Sequence, residues 1–323
     1  MSQFEVSVII PIYNVASCIE CCLQSVMKQQ SVPAVECLLI DDCGEDDSMA
    51  IAERLIDAYD GPIAFRTVHH QQNRGLSAAR NTGIREAQGT YLYFLDADDW
   101  VEPDALKLML ELAHRYPDAQ MVQGGAVIQG GEPKPWLSLK HSQLPEYLCG
   151  RTDVEHAMLN REQIPVTAWN RLIKREFIID KSLFFEEGLT HEDELWTFSL
   201  SQHLSSLALL KEDVYHYVWR EEGIMACCQG KEGQSLIRIA QKMIEQMGAT
   251  ASSGTIRYII GFIKLRSFNI KDEVQRCAMV SLLQGLFPYR NTIERMKLAL
   301  WMWLAKKEIR RHYWLYTVLY HWR

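Results

Sequence analysis

No apolar run in these 323 residues reaches the roughly 18 positions that a bilayer-spanning helix needs, so no membrane span is expected. The amino terminus has no basic region and no small-residue cleavage site ahead of its first apolar segment. That segment therefore reads as a strand, not as a secretory signal. The nine cysteines form no pair of C-x-x-C units at zinc-finger spacing. Cys18, Cys21 and Cys22 share one face of a helix and are read as reduced core thiols, which suits a cytoplasmic protein. Positive charge is in deficit: 34 Lys and Arg stand against 41 Asp and Glu, a formal net charge of -7, which argues against general nucleic-acid binding. The first strand-end turn lacks G-x-G-x-x-G, which excludes a dinucleotide dehydrogenase. It also lacks the glycine-rich basic loop that a sugar-nucleotide pyrophosphorylase needs to hold a triphosphate. Internal repeats and low-complexity tracts are absent.

What is present is a globular composition, 48% hydrophobic and 23% charged. The first 130 residues alternate short apolar runs with amphipathic stretches, the pattern of βα units around a largely parallel sheet. Strands are expected at Val6 to Pro11, Val35 to Asp41, Ile63 to His69 and Tyr91 to Leu95. Helices are expected at Ala16 to Lys28, Asp47 to Tyr59 and Ser77 to Ala87. The glycines and prolines between Gly124 and Pro145 predict a loop or domain transition. Beyond it, Thr167 to Ile179 reads as a helix, Leu183 to Glu194 as a turn into another, and Leu207 to Trp219 as two short strands. After about Gly233 the pattern is helical.

Every notable polar cluster falls at the carboxyl end of an expected strand, where ligands of open α/β sheets bind. Pro11-Ile12-Tyr13-Asn14 follows the first strand, Asp41-Asp42 the second, Asn73-Arg74-Gly75 the third and Asp96-Ala97-Asp98-Asp99 the fourth. The last of these packs three carboxylates into four residues, which repel one another unless a cation compensates. A hard divalent ion with oxygen ligands, bridging to phosphate, is the natural partner. The competing reading has Asp98 or Asp99 capping a helix that starts near Pro103.

Val6-Ser7-Val8-Ile9-Ile10-Pro11-Ile12-Tyr13-Asn14, Leu39-Ile40-Asp41-Asp42, Asn73 to Gly83 and Phe94 to Asp99 together resemble the successive signatures of family 2 glycosyltransferases with the GT-A fold, of the bacterial polysaccharide type. The resemblance is strong over residues 4 to 130 and weaker to about residue 225. It implies a Rossmann-like, mostly parallel sheet flanked by helices, with a helical carboxyl-terminal extension. It divides the chain into a catalytic domain at 1-225 (nucleotide-sugar half 1-125, acceptor half 126-225) and a helical region at 226-323.

The resemblance further implies inverting transfer from a nucleotide sugar, with a uridine diphosphate sugar expected, to a saccharide or lipid-linked saccharide in cell-surface polysaccharide synthesis. Pro11, Tyr13, Asn14 and Asp42 would surround the base, and Asn73 and Arg80 the base and diphosphate. Asp96, Ala97 and Asp98 would take the ribose and metal side, and Asp98 and Asp99 a Mn or Mg ion. Gly188 to Trp196 is similar to the family's Glu-Asp segment, which makes Asp193 the catalytic base and Glu192 its neighbour. From spacing alone, Thr190-x-x-Asp193 fits a helix capping box equally well. Trp169-Asn170-Arg171-Leu172 resembles an acceptor-side segment; an exposed sugar platform and a buried core tryptophan are both open for Trp169. Arg220 could reach the diphosphate. The family commonly has Asp-Asp-Gly-Ser where this chain has Asp41-Asp42-Cys43-Gly44. A noncatalytic nucleotide-sugar-binding protein stays open if Asp193 is only a cap.

From Arg295 to Arg323, seven Lys or Arg stand against one Glu, interleaved with aromatics. Such a segment can lie on an anionic membrane surface, giving peripheral attachment to the inner face of the cell membrane. Equally, it can pack as a helical subdomain with Leu298 to Ala305 buried on all sides.

Overall fold

The structure, a computed structural model, describes residues 3–30, 32, 34–161, 163–220, 232–248, 251–290 and 292–306. The chain falls into two compact units, Met1–Gly223 and Ile224–Arg323.

In the first unit, β1 (Phe4–Ile12), β2 (Val35–Asp41), β3 (Ala64–His69) and β4 (Gly89–Phe94) pair in parallel in the order β3-β2-β1-β4. Their near-continuous apolar runs are explained by burial on both faces. Val6, Val8, Ile10 and Ile12 of β1 point into one core layer with Cys37 and Leu39 of β2. Ile9, Leu38 and Ile40 point into the other. Helices α1 (Ile19–Met27) and α2 (Ser48–Asp57) connect β1 to β2 and β2 to β3, and α3 (Leu76–Glu86) returns the chain to β4 on the other side of β1. The strand order reverses between β1 and β4, so their carboxyl ends frame a crevice suited to a ligand.

The second half of the sheet is mixed. After a two-residue β5 (Trp100–Val101) and helix α4 (Ala105–Arg115) come β6 (Met121–Gln129), β7 (Tyr147–Cys149), α5 (Arg151–Met158), β8 (Arg171–Lys174), α6 (Arg175–Asp180), α7 (Glu192–Ser201) and β9 (Ser206–Val218). Strand β8 inserts antiparallel between β4 and β6, and β9 runs parallel to β6 and antiparallel to β5 and β7.

Three expectations are corrected here. The stretch Thr167 to Ile179 is a strand followed by a short helix, because its apolar run is too short for periodicity to tell the two apart. The glycines at 124 and 125 lie inside β6, at the point where its register against β9 shifts. They mark a bulge, not a loop: a Cβ on Gly124 would meet Asn170 Oδ1 at 2.7 Å, and one on Gly125 would meet Asp213 Oδ1 at 2.5 Å. Finally, Leu207 to Trp219 holds one long strand, with its register shifted at that bulge, instead of two.

The cysteine cluster is also only partly core. Cys22 and Cys37 are buried, whereas Cys21 is exposed and Cys18 intermediate.

In the second unit, α8 (Gly233–Gln246) buries Leu236, Ile239, Ala240 and Met243, one helical face. Helix α9 (Ser253–Ser267) is capped by Ser252 Oγ, which accepts from Thr255 N at 3.0 Å. Helix α10 (Glu273–Ser281) is capped by Asp272, which accepts from Gln275 N at 2.7 Å. In α11 (Thr292–Lys306), Leu298, Trp301, Met302 and Ala305 are buried while Met296 and Leu300 are exposed. The segment is thus amphipathic, not buried on all sides. Most of the basic aromatic tail, 307–323, lies outside the described residues. Among those described, no helix is long and apolar enough to cross a membrane.

The close seating of α3 on β1 fixes the height of the helix that carries Arg80. A Cβ on Gly83 would lie 2.3 Å from Ile9 Cγ2. Gly83→Ala should therefore cost roughly 1–3 kcal/mol of overpacking, against about 1 kcal/mol regained in helix propensity. A lowered urea midpoint is expected, and an unchanged or higher one would show that α3 does not depend on this contact.

Candidate active site

Four strand-end segments meet at the crevice, and each is held by identifiable contacts. Asn14, in the left-handed region at φ 51°, accepts a hydrogen bond from Glu45 N on its Oδ1 at 2.8 Å. Ala16 N donates to Asp46 Oδ2 and Val15 N to Ser48 Oγ, both at 2.8 Å, so the loops after β1 and β2 are fastened together. Pro11 is buried at the end of β1, and Tyr13 stands 46% exposed just beyond it. Cys43 occupies the place where the family's glycine was expected, and it adopts a glycine-like φ of 61°. Its N–H donates to Asp41 Oδ1 at 3.0 Å, an Asx turn that holds a non-glycine residue in that conformation.

Asp42 is buried and fully engaged. Its Oδ1 accepts from Arg74 N at 2.9 Å and pairs with His70 Nδ1 at 2.6 Å, and its Oδ2 accepts from Gly75 N at 2.8 Å. It thereby moulds the loop that carries exposed Asn73 and the start of α3.

In the acidic turn the three aspartates have separate surroundings. Asp99 is 1% exposed; its Oδ2 accepts from Tyr215 OH at 2.6 Å and its Oδ1 from Val218 N at 2.8 Å. Both oxygens of Asp99, expected on the metal side, are engaged with β9 in this structure. Burial, then Asp98 and Asp96, push its carboxyl well above the usual range. Asp98 is pushed up to about 6 by burial first and by Asp96 second, and Arg220 Nη1 lies 3.6 Å from its Oδ2. Ala97 is buried between them. Neither Asp98 nor Asp99 caps a helix, because β5 intervenes before α4.

Asp96 faces α3. Arg80, 1% exposed, donates from Nη2 to Asp96 Oδ1 at 2.8 Å and from Nη1 to Glu192 Oε1 at 2.6 Å and Asp193 Oδ1 at 3.0 Å. One guanidinium thus joins the turn after β4 to the start of α7, more than ninety positions away in sequence. Burial works against the Arg80 charge, but Asp96, Asp193 and Glu192 more than reverse it, so the group is held firmly protonated. Asp193 is pushed up to about 7, by burial first; Arg80 opposes the rise while Glu192 and Asp96 add to it. The acids at the α7 start also meet the favourable end of the helix dipole. The residue entering that helix is His191 at φ 62°, and no side chain caps it, so the capping-box reading of Thr190 and Asp193 fails.

Trp169, expected on an acceptor side, is buried: 6% exposed, it stacks on Tyr215 at 4.4 Å and on Tyr217 at 5.8 Å. The exposed aromatic is Trp219, at 38%. It is flanked by Val218, bonded to Asp99, and Arg220, beside Asp98. The alternation Tyr215-x-Tyr217-x-Trp219, aromatic at every second position up to and just past the end of β9, is the signal that could have found it. Asn81 was also missed: its Nδ2 donates to Phe185 O at 2.9 Å and its Oδ1 accepts from Phe185 N at 2.8 Å. That bond pair fastens the segment leading to α7 onto α3.

Residues 7–180 match the family model described as Glycosyl transferase family 2. The putative glycosyltransferase EpsH of Bacillus subtilis is 29% identical over 224 residues, covering 67% of this chain and 61% of its own. The TarS poly(ribitol-phosphate) beta-N-acetylglucosaminyltransferase of Staphylococcus aureus is 24% identical over 68% of this chain and 36% of its own. The crystal structure of TarS 1-349 in complex with UDP-GlcNAc superposes with a TM-score of 0.69 at 18% identity, covering 88% of this chain and 82% of that one. The mannosyltransferase PcManGT of Pyrobaculum calidifontis, in complex with GDP-Man and Mn2+, superposes with a TM-score of 0.58 at 17% identity, covering 98% and 85%. The chain spans 60–62% of the length of the curated relatives it matches first.

The burial of Asp98 and, second, its repulsion from Asp96 have a stability signature. Asp98 takes up a proton on folding, so its contribution favours the fold at low pH and is lost as pH rises through about 6. Asp98→Asn should raise the melting temperature at pH 8 and have little effect near pH 4. Tyr215→Phe, which leaves buried Asp99 short of a donor, should instead cost about 1–3 kcal/mol at either pH. A melting temperature for Asp98→Asn at or below wild type at pH 8 would contradict the cost of holding Asp98 ionised in the fold.

Proposed function

The chain belongs to glycosyltransferase family 2, and from that premise we propose that it transfers a sugar from a nucleotide-sugar donor, with inversion, onto a hydroxyl of a saccharide or lipid-linked saccharide. The observation that carries this reading is the Arg80 bridge, which sets a carboxylate of raised proton affinity beside the acidic turn expected to hold the donor.

Asp193 serves as the base. Arg80 occupies its Oδ1, which leaves Oδ2 to take the acceptor hydroxyl's proton as the oxygen attacks the anomeric carbon. The bond from that carbon to the diphosphate breaks on the opposite face, and the nucleoside diphosphate leaves with the electron pair. A single base with direct displacement inverts the configuration.

Divalent magnesium and manganese commonly bind through one or two carboxylates together with substrate phosphates. Asp98, 32% exposed and pushed towards protonation by burial and by Asp96, fits such a shared site. Among the described residues no group of three His, Cys, Asp or Glu side chains could hold an ion by itself. A bound ion supplies positive charge for the departing diphosphate. The Mn2+ in the mannosyltransferase complex supports this reading. Arg220, beside Asp98, would add a second charge to the same phosphates.

Tyr13 would stack on the base, and Asp42 would act by shaping the loop of Asn73. The UDP-GlcNAc complex of TarS supports uridine as the base, and that protein's polymer substrate supports a polysaccharide acceptor. Trp219, not Trp169, would offer the acceptor's sugar ring a face, being the exposed aromatic beside the turn.

Incubation with a panel of UDP- and GDP-sugars and Mn or Mg should release nucleoside diphosphate, more with UDP-sugars. Asp193→Asn should lower kcat by about 10²–10⁴ with little change in donor affinity. The wild-type rate should fall as pH drops through about 7, the value to which Asp193 is raised, because the base must be ionised. Full activity in Asp193→Asn would remove Asp193 from the chemistry, and metal-dependent turnover kept in Asp98→Ala would remove the ion from Asp98. For the acceptor side, Trp219→Ala should raise acceptor KM far more than it changes donor hydrolysis by water. The opposite split would place Trp219 with the donor.

A further inference from the structure

Arg80 has more carboxylates than it can neutralise. Three acids, Asp96, Glu192 and Asp193, share one buried positive charge at 2.8, 2.6 and 3.0 Å. The guanidinium cannot turn towards one partner without loosening another: Nη1 serves Glu192 and Asp193 together, while Nη2 serves Asp96. Its orientation is fixed from outside as well, since its Cζ lies 5.3 Å over the ring of Phe185, the residue whose backbone Asn81 fastens to α3. A residue placed only to contact a diphosphate would not be buried to 1% with both terminal nitrogens committed to acids on both sides of the crevice.

We propose that Arg80 is a positioning residue for the base: it orients Asp193 through Oδ1 and, by sharing its charge with Asp96, makes the proton affinity of Asp193 depend on the state of the donor turn. The inference rests on the reading of Asp193 as base.

The groups acting on Asp193 come from each element around it. Arg80 lies on α3, Glu192 on α7, Asp96 in the turn after β4, and Arg171 on β8. Arg171 is buried, with its guanidinium on Gln123 Oε1 at 2.8 Å, Thr197 Oγ1 at 3.0 Å and Pro165 O at 2.7 Å, and it acts on Asp193 through its field. Arg80 is the cation in hydrogen-bond contact. Its sharing has a consequence of definite sign. Removing Arg80's charge raises the proton affinity of Asp193. Removing the charge of Asp96 lowers it, partly because a like charge is gone and partly because Arg80 is released to Asp193.

The test follows the Asp193 carboxyl by 13C NMR titration of the full-length chain, its signal assigned by its loss in Asp193→Asn. No substrate is needed, so the result is separate from the activity test of the base. Arg80→Gln should move the Asp193 midpoint up by about one to three pH units, the range for loss of an adjacent opposite charge. Arg80→Lys, which keeps the charge but lacks the fork, should move it less. Asp96→Asn should move it down, and in an Arg80→Gln background that downward shift should shrink by at least about half, the non-additivity expected of groups in one network. Where Arg80→Gln does not fold, the Arg80→Lys titration and its pH–kcat profile decide: the acidic limb moves up with donor KM within about twofold. A midpoint unmoved in Arg80→Lys and Arg80→Gln, or an Arg80→Lys variant altered only in donor KM, overturns the proposal. Full activity in Asp193→Asn with the NMR shifts intact would instead overturn the base and leave the electrostatic coupling standing.

Discussion

The buried guanidinium of Arg80 is the interaction on which the rest of the site depends. Breaking a buried ion pair from one side leaves an uncompensated charge, which is far costlier than losing an exposed one. Arg80 therefore does more than decorate α3. It makes the position of the turn after β4 and the start of α7 mutually conditional, and these two segments come from different halves of the sheet. The fold supports that demand with neutral fixings: Gly83 seats α3 against Ile9, and Asn81 ties α3 to the Phe185 backbone.

A second anchor keeps the acidic turn from flying apart. Asp99 spends both oxygens on β9, through Tyr215 and the Val218 N–H, and Tyr215 is clamped in turn by Trp169. This division of labour lets three neighbouring aspartates coexist: Asp99 is held by β9, Asp96 shares the charge of Arg80, and Asp98 keeps an electrostatic deficit that a cation would relieve. Strain gathers in the same region. The left-handed residues Asn14, Cys43, Asn170 and His191 sit in or beside the loops that form the crevice or the strands behind it.

The parallel half of the sheet was legible because strands buried on both faces leave long apolar runs, and polar residues appear only where those runs stop. Val35 to Asp41 was read to the residue. The mixed half was not, because short antiparallel strands such as Arg171–Lys174 carry too few residues to show a period, and the glycines at 124 and 125 look like a loop when they serve a bulge. In the site, the candidates near the strand ends were found by type and order. Their partners were not, since no local pattern reveals that Arg80 meets Asp193, or that Asp99 turns inward to a tyrosine more than a hundred positions later. Trp169 and Trp219 could be ranked only by burial, a tertiary property.

We propose that the donor's reacting carbon lies between the acidic turn and Asp193, with Arg80 holding both. The most direct measurement is a crystal structure with a UDP-sugar, or the nucleotide sugar that the protein proves to use, and Mn2+. The diphosphate is expected at Asp98, with the anomeric carbon facing Asp193 on the side opposite the leaving oxygen and Arg80 still bonded to Asp96 and Asp193. A donor bound with its anomeric carbon turned away from Asp193, or with its diphosphate remote from Asp98, would contradict it.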